Sequence, residues 1–260
     1  MRIDIMTLFP EAVNAMMQES ILGRAQAKGI IHIEAHQIRD YTANRQNQVD
    51  DYPYGGGQGA ILQADPLFRC WQAVCDEVGA PVHTVYLSPC GTVFSQQKAR
   101  ELLPYENLIL VCGHYEGIDE RFIEECVDEE ISIGDYVLTG GELPAMVVAD
   151  CICRMVPGVL SDSVCFEDES HWAGMLEYPQ YSRPAVWHGL EVPPILLSGD
   201  HGQVDRWRKK QSILRTMYRR PDLFSRLRFP TKTRGDRKFL AELEAEDAEF
   251  ANRNPEKMGR

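Results

Sequence analysis

Three short stretches of this 260-residue chain carry the residue types from which a ligand pocket can be made. The first is Leu87-Ser88-Pro89-Cys90-Gly91. The second is Cys112-Gly113-His114-Tyr115-Glu116-Gly117. The third is Ile133-Gly134-Asp135-Tyr136-Val137-Leu138-Thr139-Gly140-Gly141-Glu142. Glycine has no Cβ, so a backbone rich in it can approach a ligand closely. Any one of these loops alone reads as a turn. The first two follow adjacent predicted strands, however, and the third opens a helix; ligands of open α/β sheets bind outside the carboxyl ends of strands. Together the three can line one pocket. No Walker A or GxGxxG sequence follows a strand, which excludes phosphate-loop and dinucleotide readings. Residues 50–59 form a further glycine run, either a flexible connector or, through Tyr52 and Tyr54, a surface on which a base could stack. Arg154 ends a long apolar helix, where the helix dipole favours a cation in any case. Glu167, Asp168 and Glu169 stand together in a polar stretch and read first as a solvated charge run. The eight cysteines make no CxxC pair, and Cys151 and Cys153 fall on different helix faces, so all eight read as small buried hydrophobes and no dedicated metal site is expected.

Charge points to the partner. The net charge is −12, which by itself argues against nucleic acid. Its distribution reverses that argument. Residues 1–200 hold 11 bases and 30 acids, whereas residues 201–240 hold 13 bases and three acids. Arg206, Arg208, Lys209, Lys210, Arg215, Arg219 and Arg220 lie on or at the end of one predicted helix. An acidic body with one strongly basic segment predicts contact with phosphate, a solvated helix face being the alternative.

The elements that must position these residues follow from periodicity. Residues 2–8 alternate as a strand, and a helix is predicted from Pro10 to about Ala27. Strands are predicted at 30–38, 82–87 and 107–112, with short extended pieces at 130–133 and 136–138. Helices are predicted at 65–78, 95–103, 119–127 and 141–155, a tight loop at 88–92, and a long loop at 39–59. Strand–loop–helix alternation means an α/β fold with a mostly parallel sheet covered on both faces. Residues 1–160 form that domain, and 161–172 read as a polar linker. Residues 173–260 form a small helical domain, with helices at 203–219, 221–227 and 236–252 and too little apolar sequence to hold much core alone. The tail 252–260 is expected to fray. Apolar runs stay far below the ~20 residues of a membrane span, and the N-terminus lacks the apolar region of a signal peptide. A cytoplasmic protein with no membrane contact is expected.

The motifs 51–59, 87–91, 112–121, 132–144 and 154–160, followed by 176–184, 189–194 and 207–221, resemble the bacterial tRNA (guanine-N1)-methyltransferases of the SPOUT class across nearly the whole chain. The block 132–142 is highly specific for that family. The resemblance implies an α/β fold with a deep trefoil knot, an exception to the usual unknotted topology. It implies a homodimer whose active sites use both chains. S-adenosylmethionine would lie against Tyr86, Leu87, Ser88, Pro89, Gly113, Glu116, Ile133, Gly134, Asp135, Tyr136, Val137, Leu138, Gly140, Gly141 and Pro144. The target would be guanosine 37 of tRNA, preceded by another guanosine, in a magnesium-dependent reaction.

Guanine N1 carries a proton, so methylation needs a base, and charge then spreads to O6. The resemblance implies Arg154 as stabiliser of that charge and a linker carboxylate as base. The family pattern reads Asp-Ser where this chain has Glu169-Ser170, with Asp168 one residue earlier, so the base is Glu169 or Asp168. His114 stands where many members have Arg. Two rival readings are a knotted RNA 2′-O-methyltransferase and a non-catalytic RNA-binding protein of the same fold.

Overall fold

The structure, a computed structural model, describes residues 1–161, 164–167, 169–248 and 250. The chain divides into two compact units, Met1–Ser163 and Val164–Arg260. In the first unit the elements run β1 (Arg2–Thr7), α1 (Pro10–Met17), α2 (Ser20–Ala27), β2 (His32–Gln37), β3 (Asp50–Asp51), β4 (Ile61–Leu62), α3 (Ala64–Val78), β5 (His83–Val93), α4 (Gln96–Leu102), β6 (Asn107–Cys112), α5 (Glu120–Cys126), β7 (Glu129–Ser132) and α6 (Glu142–Cys153). Five strands form one sheet in the order β2-β1-β6-β5-β7, and every pairing in it is parallel.

The central strand β6 explains this arrangement. Leu108 through Cys112 are all fully buried, as expected for a strand covered on both faces. Ile109 and Val111 join Met6, Tyr86, Leu67, Val74 and Phe122 in one apolar cluster, which the helices α3 and α5 complete. On α6, Ala145, Val148, Ala149, Ile152 and Cys153 are buried, and this helix packs with α1, α4, β1 and β6. Asp4 of β1 is the buried exception. Burial alone would raise its pKa, but hydrogen bonds from His36, at 2.7 Å, and Arg2, at 2.8 Å, lower it. Asp4, Glu34 and His36 are the one group of three metal-ligating side chains gathered among the described residues, and Arg2 already occupies Asp4.

Several expectations need correction. The helix predicted over 10–27 is two helices, with Ser20 at a φ of 54°. Val13 and Met17 are buried in the first and Leu22 and Ala25 in the second. A five-residue step from 17 to 22 is out of phase with a 3.6-residue period, and the break re-aims the second helix at the core. The tight loop predicted at 88–92 lies inside β5. Leu87 and Thr92 both pair with Ile131, so 88–91 form a bulge without partners on β7. Cys90 rides on that bulge and is exposed, unlike the buried Cys70, Cys112, Cys126 and Cys153. Residues 136–138 are not a strand but an exposed loop, because no strand of the sheet runs beside them. Part of the long loop 39–59 is ordered as a short 3-10 helix at Ile38–Tyr41 and as β3, which pairs with β4.

The second unit contains α7 (Val164–Glu167), β8 (Val186–Trp187), β9 (Leu190–Glu191), α8 (His201–Arg219), α9 (Pro221–Phe224) and α10 (Arg234–Glu246). It holds more core than composition predicts. Ile213 and Met217 of α8 meet Leu240 and Leu243 of α10 around the rings of Phe224, Phe229 and Phe250, whose centroids lie 5.7–6.0 Å apart. The Asp200 carboxylate caps α8, and Thr233 and Asp236 form a capping box on α10. Among the described residues no helix is long and apolar enough to cross a membrane. Asp168, the side chain of Cys165 and the tail beyond residue 250 lie outside the described residues.

Candidate active site

The carboxyl ends of β5, β6 and β7 open into one cavity of about 510 Å³, within the ~300–1,000 Å³ of small-molecule sites. The three glycine-bearing loops do converge there. Tyr86, Leu87, Ser88 and Pro89 line it from β5 and its bulge, and Gly113 and Glu116 from the loop after β6. Ile133, Gly134, Tyr136, Val137, Leu138, Gly140, Gly141 and Pro144 line it from the loop after β7 and the start of α6. Asp135 is exposed and stands outside the lining.

Two glycines decide the shape. A Cβ on Gly141 would stand 2.7 Å from the Cα of Cys112, and one on Gly113 would stand 2.7 Å from the Tyr86 hydroxyl. Both approaches are closer than side chains tolerate, so the last loop lies directly against the end of β6. The Gly141 amide donates to the Gly113 carbonyl at 2.9 Å, and His114 bridges to Gly140. At the start of α6, the Thr7 hydroxyl donates to Glu142 at 2.8 Å, fastening that helix to β1.

The electrostatics select a kind of ligand. The lining contains Glu116, Glu120 and Glu130 and no lysine or arginine. Such a site suits a ligand that carries positive charge and repels nucleotide phosphates. Burial, with a smaller contribution from Glu130, pushes the Tyr86 phenol up to about 12, so it stays protonated at neutral pH. His114 lies in the second of the loops read from the sequence and departs there from the family pattern. Here it is a wall residue whose Nδ1 is buried without a hydrogen-bond partner, between the rings of Phe9 and Tyr115 at 5.3 and 5.0 Å. Sequence reasoning did not name Glu120 or Ile123 as pocket residues, although Glu120 falls within the motif 112–121. They come from α5, outside the three glycine-bearing loops, and only the packing of α5 brings them to the cavity.

The residues expected to do chemistry are placed separately. Arg154 is the C-cap of α6, half-buried, and is not part of the cavity lining. Glu169 belongs to the second unit, where it lines another cavity.

The seven basic residues do not form one phosphate-facing set. Arg206 makes two hydrogen bonds to Glu242 at 2.8 and 2.9 Å. Lys210 is buried against Glu242 and Glu246. Arg220 pairs with Asp222 at 2.6 Å, which lowers the aspartate pKa to about 2. Positions 206 and 210 are one helical turn apart, as are 242 and 246, so the two charge ladders match across α8 and α10. That match was visible in the sequence as spacing. Lys209 and Arg219 are exposed and Arg215 is half-buried, and among the described residues none of the three makes an ion pair. The Lys209 ammonium lies 5.2 Å from the Phe239 ring centre.

Comparison with known proteins identifies the family. Residues 1–226 match the family model described as tRNA (Guanine-1)-methyltransferase TrmD. A tRNA (guanine-N(1)-)-methyltransferase of Chloroflexus aggregans is 57% identical over 228 residues, covering 87% of this chain and 88% of that protein. One of Ruminiclostridium cellulolyticum is 53% identical over 227 residues, covering 87% and 97%. One of Alkaliphilus metalliredigens is 51% identical over 245 residues, covering 94% and 98%. With a cavity suited to a cationic cosubstrate, and with likeness of this extent to whole proteins, the chain belongs to the tRNA (guanine-N1)-methyltransferase family of enzymes.

Proposed function

We propose that the protein methylates N1 of guanosine 37 in tRNA, next to the anticodon, with S-adenosylmethionine as donor. One observation carries this reading: three loops meet in a single cavity that is acidic, free of lysine and arginine, and shaped by close glycine approaches. S-adenosylmethionine fits such a lining because its sulfonium and amino groups are cationic, and when bound it supplies an electrophilic methyl group. The residues 86–89, 113, 116, 133–138, 140, 141 and 144 hold and orient it. Asp135 acts there from the loop backbone rather than as a wall.

The remaining work falls to the protein's own side chains. Glu169 accepts the N1 proton of the guanine, with Asp168 as the alternative acceptor. Arg154, always cationic, offsets the negative charge that reaches O6. The exposed Lys209 and Arg219, with Arg215, hold tRNA phosphates in a salt-dependent and sequence-blind way. The one cluster of three metal-ligating side chains among the described residues, Asp4, Glu34 and His36, does not suit magnesium, because it includes a histidine and Asp4 already engages Arg2, whereas magnesium takes oxygen ligands in octahedral geometry. No step is assigned to it.

Two architectural readings accompany this one. The close approach of the loops at Gly113 and Gly141 is compatible with a trefoil knot around the cavity, the fold that the family resemblance implies. A homodimer is supported by exposed apolar residues one turn apart on α6, Leu143 and Val147, together with Tyr136, Val137 and Leu138. Sedimentation of the purified protein tests the dimer. For the activity, unmodified tRNA with guanine at position 37 is incubated with S-adenosylmethionine and digested for mass spectrometry. The reading requires 1-methylguanosine, lost when that guanine is replaced. A ribose-methylated product, or no product, overturns it.

A further inference from the structure

The basic segment after residue 200 does not end with α8. Residues 226–239 hold six bases and one acid, and Lys232, Arg234, Arg237 and Lys238 are all exposed. These four lie past residue 226, where the match to the family ends. The stretch is anchored, because Phe229 is buried in the apolar cluster of the second unit and Leu227 packs against it.

The charges of α10 run against the helix dipole. Arg234, Arg237 and Lys238 stand at its amino end, and Glu242 and Glu246 towards its carboxyl end. The dipole favours the opposite order. Arg234 and Lys238 are also like charges one turn apart, which adds repulsion. For the acidic half the chain itself supplies the compensation, since Arg206 and Lys210 of α8 pair with Glu242 and Glu246. The basic half has none of comparable kind. Asp236, its one acid, is taken up with Thr233 in the capping box. Arg237 turns back to the carbonyls of Thr231 and Lys232. Among the described residues Lys232, Arg234 and Lys238 make no ion pair.

This half of α10 adjoins the cation already assigned to RNA. The Lys209 ammonium lies over the Phe239 ring. Hydrogen bonds from Thr233 hold the Asp236 carboxyl below the usual range, and the charges of Lys209 and Arg237 lower it further. Lys209 also lines the cavity of about 400 Å³ beside α8 that Glu169 borders. The partner of such a surface is anionic, and its surroundings select among anions. A lipid surface or a protein partner would call for exposed apolar side chains beside the cations. From 226 to 248 no large apolar side chain is exposed among the described residues. RNA phosphates call for none.

We propose that the amino-terminal half of α10, through Arg234 and Lys238, extends the surface begun by Lys209 and holds phosphates of the tRNA. The inference rests on the tRNA reading above and deepens it, adding a second helix to the RNA-binding surface.

The test measures tRNA affinity of the full-length protein between about 0.05 and 0.2 M salt, where each phosphate contact contributes about 0.7–0.9 to the slope of log affinity on log salt. Arg234→Gln combined with Lys238→Gln is expected to reduce that slope by about 1.5, which makes the defect about tenfold larger at the low-salt end than at the high-salt end. Arg234→Lys with Lys238→Arg is expected to keep the wild-type slope. The defect is expected to be equal on a transcript without guanine at position 37, because phosphate contacts carry no base identity. The urea midpoint of the neutralised variant is expected to match or exceed that of the wild type, since cations at the amino end oppose the dipole. Arg24→Gln with Lys28→Gln removes another exposed pair of cations one turn apart, in the first unit, and is expected to leave the slope unchanged. A wild-type slope in the neutralised α10 variant overturns the proposal. So does an equal loss in the first-unit variant, which would reduce the effect to net charge. A defect confined to the guanine transcript, or a lowered urea midpoint, overturns it as well. If the wild-type protein makes no 1-methylguanosine, the methyl-transfer reading fails instead, and the salt slopes still decide this surface.

Discussion

The cavity at the end of the parallel sheet and the cavity beside α8 are built by different means. The first is shaped by backbone: Gly113 and Gly141 let one loop lie on another, and among the described residues its lining has three glutamates, His114 and no lysine or arginine. The second is shaped by side chains: an arginine on a tyrosine ring, a lysine and three carboxylates, with α8 pinned to α10 through Lys210 and Arg206. Each is lined by a residue with a buried polar side-chain atom that lacks a partner among the described residues, His114 with its Nδ1 and Arg208 with its Nε. A backbone-shaped site recognises by exclusion and tolerates no added atom. A side-chain-shaped site recognises by charge and hydrogen bonding, and should respond to salt and to isosteric change.

Perturbations of each region can break this contrast. The largest effect is expected at Glu169. Glu169→Gln should slow single-turnover methyl transfer by about a thousandfold, and more than Asp168→Asn does. The opposite ranking moves the base to Asp168. Arg154→Ala should follow, with a loss of about a hundredfold or more while calorimetric S-adenosylmethionine affinity stays within about twofold. Turnover like that of the wild type would remove Arg154 from the chemistry. Gly141→Ala probes exclusion directly. The added methyl at 2.7 Å from Cys112 should cost about 1–3 kcal/mol in urea unfolding and weaken cofactor binding. Unchanged affinity would mean that this close approach does not shape the pocket.

The smaller effects divide α8. Lys210→Glu places a third acid beside Glu242 and Glu246, and should lower unfolding free energy by about 1–2 kcal/mol with little change in the salt slope of tRNA binding. Lys209→Glu should do the reverse. It should weaken tRNA binding several-fold at low salt, less at high salt, and leave stability nearly unchanged. If both variants behave alike, the division of the helix into a stapling face and an RNA face is wrong.

How much of this was legible beforehand depends on range. The strand 107–112 was read to the residue, because a run of apolar residues bounded by Asn107 and Gly113 carries its own limits. The bulge at 88–91 was not, because nothing local announces that Leu87 and Thr92 will share one partner on another strand. The loop residues of the first cavity were named from glycine spacing, whereas Glu120 and Ile123 were not, since a helix face shows no motif when a ligand rather than a core covers it. The 206/210 and 242/246 ladders lay in plain spacing, yet their pairing needed α8 and α10 to be neighbours.

The sequence by itself determined the strand–helix alternation, the identity of the three pocket loops and the concentration of positive charge after residue 200. These depend on periodicity and composition, which act over a few residues. Tertiary structure alone decided that the loops enclose one cavity, that Arg206 and Lys210 pair with carboxylates of α10, and that Arg208 keeps a buried, unsatisfied donor. Those outcomes depend on which distant segments become neighbours, and desolvation and ion pairing have no value until the neighbours are fixed.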